Sequence, residues 1–300
     1  MYCKVLLLIQ RCVKFGDYLS TALAGQKNDA RIGQLPPLFT SPTGAMIALK
    51  TVCLSLLCII LLSLVASIAQ AVSQRDAKAN EGWWSARRDS SGIAPDPAKF
   101  ARLAIVQVYA APTYGWKGAV AVHPWIIFKR AGETHYSRYE VISWGSGDKV
   151  RRNSNLADGY WYGSRPRLLV DRRGPEAEAL IPQIEAAIAS YPWPTTYHAW
   201  PGPNSNTFIA HIGREVPDLR LDLPANAVGK DYRPLYRPIG LPPSGRGLQI
   251  SLLGVAGVTL GAEEGFELNV LGLNVGLDFT PLRLRLPFIG GVGSDNLQEQ

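Results

Sequence analysis

The first clear pattern along the chain is an uninterrupted apolar run. Residues 51–69 carry no charged side chain, and a helix rising 1.5 Å per residue over this run covers roughly the 30 Å hydrocarbon core of a bilayer. It predicts one transmembrane helix within residues 46–72, either an uncleaved anchor or a secretory signal cleaved at the small residues near Ala71. Under either interpretation the chain that follows is exported.

Residues 100–247 show the patterns of strands and helices. The stretches 103–109, 118–130 and 136–144 are rich in β-branched and aromatic residues and predict strands, with 159–170 as a further extended piece. From 174 to 191 apolar residues recur every three or four positions, which predicts an amphipathic helix ended by Pro192. Residues 207–215 are compatible with a second helix, with Asn204 or Ser205 as its N-cap.

Residues 248–293 are apolar and are punctuated by glycines. We expect short strands around 266–270 and 282–286, and a face that rests against a bilayer is one interpretation of this composition. The predicted fold class is α+β: a small, mostly antiparallel sheet with packed helices, preceded by one transmembrane helix and followed by a Gly-rich β extension. The expected segments are a leader (1–45), an anchor or signal (46–72), a linker (73–99), the α+β domain (100–247) and the extension (248–300).

The amino-acid composition excludes several kinds of active site and partner. All four cysteines precede residue 59 in a chain of 300 residues, which excludes a disulfide framework, a cysteine-ligated metal and a cysteine nucleophile from the main domain. The formal net charge of +7 divides into +4 for residues 1–72 and +3 for the rest, and no dense Lys/Arg run points to nucleic acid. Since no nucleotide-binding or metal motif is visible, we expect no cofactor.

Serine at a helix N-terminus and histidine on a strand are the residue types that could carry chemistry. Ser205 would lie near unpaired backbone N–H groups, where it can either cap the helix or act as a nucleophile. His123 on a strand is the preferred base, and His198, close in sequence, is the other candidate. The expected oxyanion or binding groups are Asn204, the backbone N–H groups of Asn206 and Thr207, and His198.

Several segments resemble a known family. The sequences GWKGAVAVHPWIIFK, YEVISWG, WPGPNSNTFIAHIGREVPDL and VGKDY look like the domain-of-unknown-function family 3750 of proteobacterial proteins, over roughly residues 83–293. This resemblance implies a membrane-anchored envelope protein and supplies no established activity.

A second resemblance rests on shorter motifs. A strand histidine followed much later by Asn-x-x-x-Phe at the start of a helix is similar to circularly permuted papain-like hydrolases of the NlpC type. In this resemblance, His123 matches the histidine of the family and Ser205 matches its cysteine. A hydroxyl is far less acidic than a thiol, so the site would be either a serine version or an inactive relic used for binding.

These patterns predict a single-pass inner-membrane protein with a cytoplasmic N-terminus and a periplasmic domain. Its expected partners are the bilayer, through residues 51–69, and an envelope peptide or lipid that the domain binds or hydrolyses. The alternative is a non-enzymatic envelope scaffold or binding protein. Met46 is an alternative start to Met1.

Overall fold

The structure is a computed structural model that describes residues 42–73 and 82–293. The predicted leader, residues 1–45, lies almost wholly outside the described residues, as do residues 74–81 of the predicted linker. Helix α1 spans Pro42–Ser73 and exposes apolar side chains such as Leu54, Leu62 and Val65. Among the described residues, no helix meets the length and apolarity needed to cross a membrane.

The first sheet is antiparallel and has the order β4-β3-β2-β1-β5. Its strands are β1 (Ile105–Pro112), β2 (Val122–Lys129), β3 (Ser137–Val141), β4 (Val150–Arg152) and β5 (Arg167–Arg173). Pro124 is tolerated inside β2 because β3 pairs with β2 only from Ile126 to Phe128, so the missing N–H costs no ladder bond there. The strands predicted from the apolar stretches are therefore present.

Two helices cover one face of this sheet, called here the helix face. Helix α2 spans Pro175–Ala189 and helix α3 spans Ser205–Glu215. The buried stripe of α2, including Leu180 and Ile184, packs with Phe208 and Ile209 of α3 against alternate strand residues. These strand residues are Val106, Val108, Ala110, Val122, Ile126 and Phe128. The predicted amphipathic helix is confirmed, because its three-and-four spacing matches the buried side.

The opposite face of the first sheet, called here the loop face, is covered by chain segments without regular structure. It carries Tyr109, Trp125 and Ile127, which pack with Trp161. Residues 90–94 of the predicted linker lie on this side, where the Asp158 carboxylate accepts hydrogen bonds from Ser90 and from the backbone of Ile93 and Ala94. The first sheet is thus buried on both faces.

The second sheet is an antiparallel meander of seven short strands in the order β12-β11-β10-β9-β8-β7-β6. Its strands are β6 (Ile239–Gly240), β7 (Gly247–Leu252), β8 (Ala256–Gly261), β9 (Gly265–Val270), β10 (Leu273–Phe279), β11 (Leu282–Leu286) and β12 (Gly290–Val292). The predicted strands around 266–270 and 282–286 correspond to β9 and β11. The α+β class with antiparallel sheets is confirmed.

The second sheet turns its polar side chains inward. Strand residues alternate between the two faces, and the buried set on β7–β11 includes Gln249, Thr259, Glu267, Asn269, Asp278 and Arg285. The alternate positions on β7–β11 are all apolar and face away from the rest of the domain. We call these outward positions the apolar face. It is an arrangement opposite to that of an ordinary half-buried sheet, whose polar side meets water.

Candidate functional site

The start of α3 is held by a capping box. The Asn204 side-chain Oδ1 accepts the backbone N–H groups of Asn206 at 2.9 Å and Thr207 at 3.2 Å, and the Thr207 hydroxyl accepts the N–H of Asn204. Asn204 Nδ2 donates to the carbonyls of Ala199 and Val228. The N–H groups expected to stabilise an oxyanion are therefore already bonded to the Asn204 side chain.

The other polar residues at this helix start also bond to neighbouring chain. Asn206 Nδ2 donates to the carbonyls of Val122 and Val228, and the Thr207 hydroxyl donates to the Gly229 carbonyl at 2.8 Å. Gly229 has a φ of +95°, and a Cβ there would meet Asn204 Nδ2 at 2.3 Å. The VGKDY segment thus needs glycine because the capping side chain occupies the space beside its backbone.

Ser205 and His198 lie in different surroundings. Ser205 is buried, and its hydroxyl hydrogen-bonds the phenol of Tyr197; burial raises the pKa of that phenol, and this bond partly opposes the increase. His198 is exposed, and its backbone N–H donates to the Pro203 carbonyl. His198 therefore belongs to the loop that precedes the cap.

His123 belongs to a buried polar cluster on the loop face. Its Nε2 lies 2.9 Å from Glu140 Oε2, which also accepts from Arg138 Nη2 at 2.8 Å. Asn155 Nδ2 donates to Glu140 Oε1 at 2.7 Å. The His123 ring stacks on Trp161 with centroids 3.7 Å apart, and the Arg138 guanidinium lies 4.0 Å from the Trp125 ring centre. Both Glu140 oxygens are thus bonded.

Burial and pairing set the charges in this cluster. Burial lowers the pKa of His123, and its bond to Glu140 opposes this without reversing it, so the imidazole is neutral at pH 7. Burial alone would raise the pKa of Glu140, but the hydrogen bond from His123 and the charge of Arg138 outweigh it and lower that pKa to about 2. The cluster is a carboxylate–guanidinium pair with a neutral histidine donating to the carboxylate.

His123 lies on the face of the first sheet opposite to the one that α3 covers. Val122 points to the helix face, where α3 packs, so the next residue on the strand, His123, points to the loop face. Glu140 is the acid that orients His123, and together with Arg138 it was missed by the sequence reasoning. The alternation in the segment from Tyr136 to Trp144 was the available signal, because it places Arg138 and Glu140 on one side of β3.

The second sheet offers a different kind of site, the apolar face. Large side chains on it remain open to solvent, with exposed fractions of 56% for Leu260, 58% for Phe279 and 71% for Leu282. Its inner side is tied to the α+β domain by two ion pairs, the buried pair Lys230 with Glu267 and the partly buried pair Arg285 with Asp222. These bonds hold the sheet with its polar side inward, so the apolar face is a fixed feature of the fold.

No group of three His, Cys, Asp or Glu side chains within residues 42–73 and 82–293 is arranged to hold a metal ion. Residues 103–232 match a family model described as "Protein of unknown function (DUF3750)". This match confirms the resemblance to domain-of-unknown-function family 3750 over those residues, and it ends before the second sheet begins. No curated protein and no solved structure matches the chain.

Proposed function

We propose that this protein is a non-enzymatic binding protein of the cell envelope, in which the α+β domain is the support and the second sheet presents the binding surface. The expected location, an inner-membrane protein with its folded part in the periplasm, is kept as part of this proposal. The observation that carries it is the apolar face, which the fold holds outward.

The first support comes from the groups that hydrolysis would need. A serine nucleophile requires a base within hydrogen-bond reach and free donors for the oxyanion. His123 points to the face of the sheet opposite α3, and the N–H groups of Asn206 and Thr207 are bonded to Asn204. The permuted papain-like arrangement would need Ser205 and His123 on the same side, so we favour binding over hydrolysis.

The second support comes from how the sheet is attached. Asp231 follows the capped segment and accepts from the side-chain amides of Gln249, Asn269 and Asn274, on three strands of the second sheet. Its backbone carbonyl also accepts the Ser251 hydroxyl. The cap of α3, the segment 228–231 and the second sheet are therefore connected by consecutive hydrogen bonds, as expected of a rigid support for a surface.

The experiment compares binding with turnover in the full-length protein. Wild type and Ser205→Ala are incubated with isolated envelope fragments; sedimentation reports binding and mass spectrometry reports released products. We expect both proteins to sediment with the fragments equally and neither to release product. Product release by wild type that disappears in Ser205→Ala would refute the proposal and restore the hydrolase interpretation. Urea unfolding of wild type and Ser205→Ala, run in parallel, controls for loss of structure at the helix start.

A further inference from the structure

We infer that the apolar face of the second sheet binds the surface of a lipid bilayer that contains anionic headgroups. This inference rests on the proposed function, because it names the partner of the same surface. It adds a membrane contact far along the chain from the apolar run at residues 51–69.

The chemistry of the face is the first argument. Within the described strands β7–β11, every outward side chain is aliphatic or aromatic, and none carries a hydrogen-bonding group. The outward positions are Leu248, Ile250, Leu252, Ala256, Val258, Leu260, Phe266, Leu268, Val270, Leu273, Val275, Leu277, Phe279, Leu282, Leu284 and Leu286. Protein interfaces mix apolar contacts with about one hydrogen bond per 100–200 Å². A surface with no polar group across five strands instead fits hydrocarbon, which offers no hydrogen bonds.

The residues bordering the face are the second argument. Trp200 is 53% exposed and donates its indole N–H to the Leu271 carbonyl, at the turn between β9 and β10. Tyr236 is 80% exposed and Arg237 is exposed beside it, just before the edge strand β6. Exposed Trp and Tyr are the residues that favour the headgroup region of a bilayer, and an arginine there attracts anionic lipid.

The hairpin turns at one end of the sheet continue the apolar surface. Leu271, in the turn between β9 and β10, is 63% exposed. At the opposite end Arg246 is paired with Glu263 at 3.0 Å. The Leu271 turn therefore extends the apolar surface beyond the strands, and a charged pair lies near the opposite end of β7.

Rigidity is the third argument. Glu267 pairs with both Lys230 and Arg285 on the inner side, and Arg285 also bonds Asp278. Turning the sheet over would place its leucines against the domain, and it would separate Glu267 from Lys230 and Arg285 from Asp222. The face therefore stays outward and needs an external occupant.

The test uses fluorescent labels placed in the full chain. The four native cysteines are replaced by serine, and a polarity-sensitive fluorophore is attached through Leu260→Cys. The matched control is Leu156→Cys on the α+β domain, because Leu156 and Leu260 are both 56% exposed. Each protein is mixed with vesicles of phosphatidylcholine alone or with phosphatidylglycerol, with and without a nitroxide on the acyl chains. Quenching by the nitroxide reports contact with hydrocarbon independently of any other membrane attachment.

On phosphatidylglycerol vesicles that carry the nitroxide, we expect the label at 260 to lose most of its fluorescence. The label at 156 should keep its fluorescence. Arg237→Gln should lower the ratio of docked to undocked label about fivefold on these vesicles, because one arginine at an anionic surface contributes about 1 kcal/mol. Equal quenching of the two labels, or no quenching at either position, would overturn the inference.

Two further outcomes separate this inference from the proposed function. A blue shift at 260 that appears without lipid and grows with protein concentration would assign the face to a second copy of the chain and overturn the lipid assignment. An unquenched label on a protein that still sediments with envelope fragments would overturn the lipid partner and leave the binding function intact. Product release that depends on Ser205 would refute the proposed function whatever the labels show.

Discussion

Removing the charge of Glu140 should strongly destabilise the α+β domain. Glu140→Gln preserves the shape of the side chain but leaves Arg138, whose side chain is 1% exposed, charged and without its carboxylate partner. Lowering the pKa of Glu140 from 4.5 to about 2 corresponds to about 3 kcal/mol of stabilisation of the carboxylate, at about 1.4 kcal/mol per pKa unit. Breaking buried ion pairs from one side costs a similar amount, about 3–5 kcal/mol.

Urea unfolding at pH 7, followed by tryptophan fluorescence, measures this loss, since Trp125 and Trp161 pack on the cluster. The double variant Arg138→Met with Glu140→Gln removes both charges, and it should recover part of the lost stability because no buried charge remains unpaired. A loss below about 1 kcal/mol in the free energy of unfolding of Glu140→Gln would show that the ion pair is hydrated. A double variant less stable than Glu140→Gln would contradict the expected cost of an unpaired buried charge.

Two further predictions concern the second sheet and the helix cap. Burial raises the pKa of Glu264 to about 7, against the opposing charge of Lys230 and the hydrogen bonds from Ser244. The folded state therefore binds a proton that the unfolded state releases above pH 4.5. Wild type should therefore lose about 3 kcal/mol of stability relative to Glu264→Gln as the pH rises from 4.5 through 7, and pH-dependent urea titrations giving parallel curves would contradict this. Asn204→Ala removes the cap of α3 and two donated hydrogen bonds and should cost about 2 kcal/mol in thermal or urea unfolding. Asn204→Ser keeps a capping oxygen without adding a charge and should lose less, whereas equal losses in the two variants would show that the cap contributes little.

Local patterns in the sequence were sufficient to predict β1, β2, β3 and α2 of the α+β domain, whereas strand β4 was not predicted. The spacing of Leu180, Ile181 and Ile184 is a short-range signal, and it places helix α2 correctly. Asn204 was one of two N-cap candidates, and the structure selects it because its side chain reaches the N–H groups of Asn206 and Thr207. Such features depend on residues within one or two helical turns, which the sequence displays directly.

The direction in which a strand side chain points was harder to predict. His123 was expected to face the N-terminus of α3, but a shift of one residue along a strand reverses the face, and Val122 takes the helix side. The orientation of the second sheet was also not predictable from local pattern. The alternation of residues shows that one face of the sheet is apolar, but it does not show which face meets the domain. That depends on partners distant in the chain, such as Lys230, which lies 37 residues before Glu267.

The affinity of the full-length protein for phosphatidylglycerol-containing vesicles tests the central claim most directly. Leu260→Ser combined with Phe279→Ser removes two side chains that are more than half exposed on the apolar face, and Leu156→Ser is the matched control. Burying each of the two contributes about 1 kcal/mol, so the double variant should bind about 30-fold more weakly. Its free energy of unfolding should be nearly unchanged, since both side chains are exposed in the fold. Equal affinity of wild type, the control and the double variant would show that the apolar face is not the binding surface.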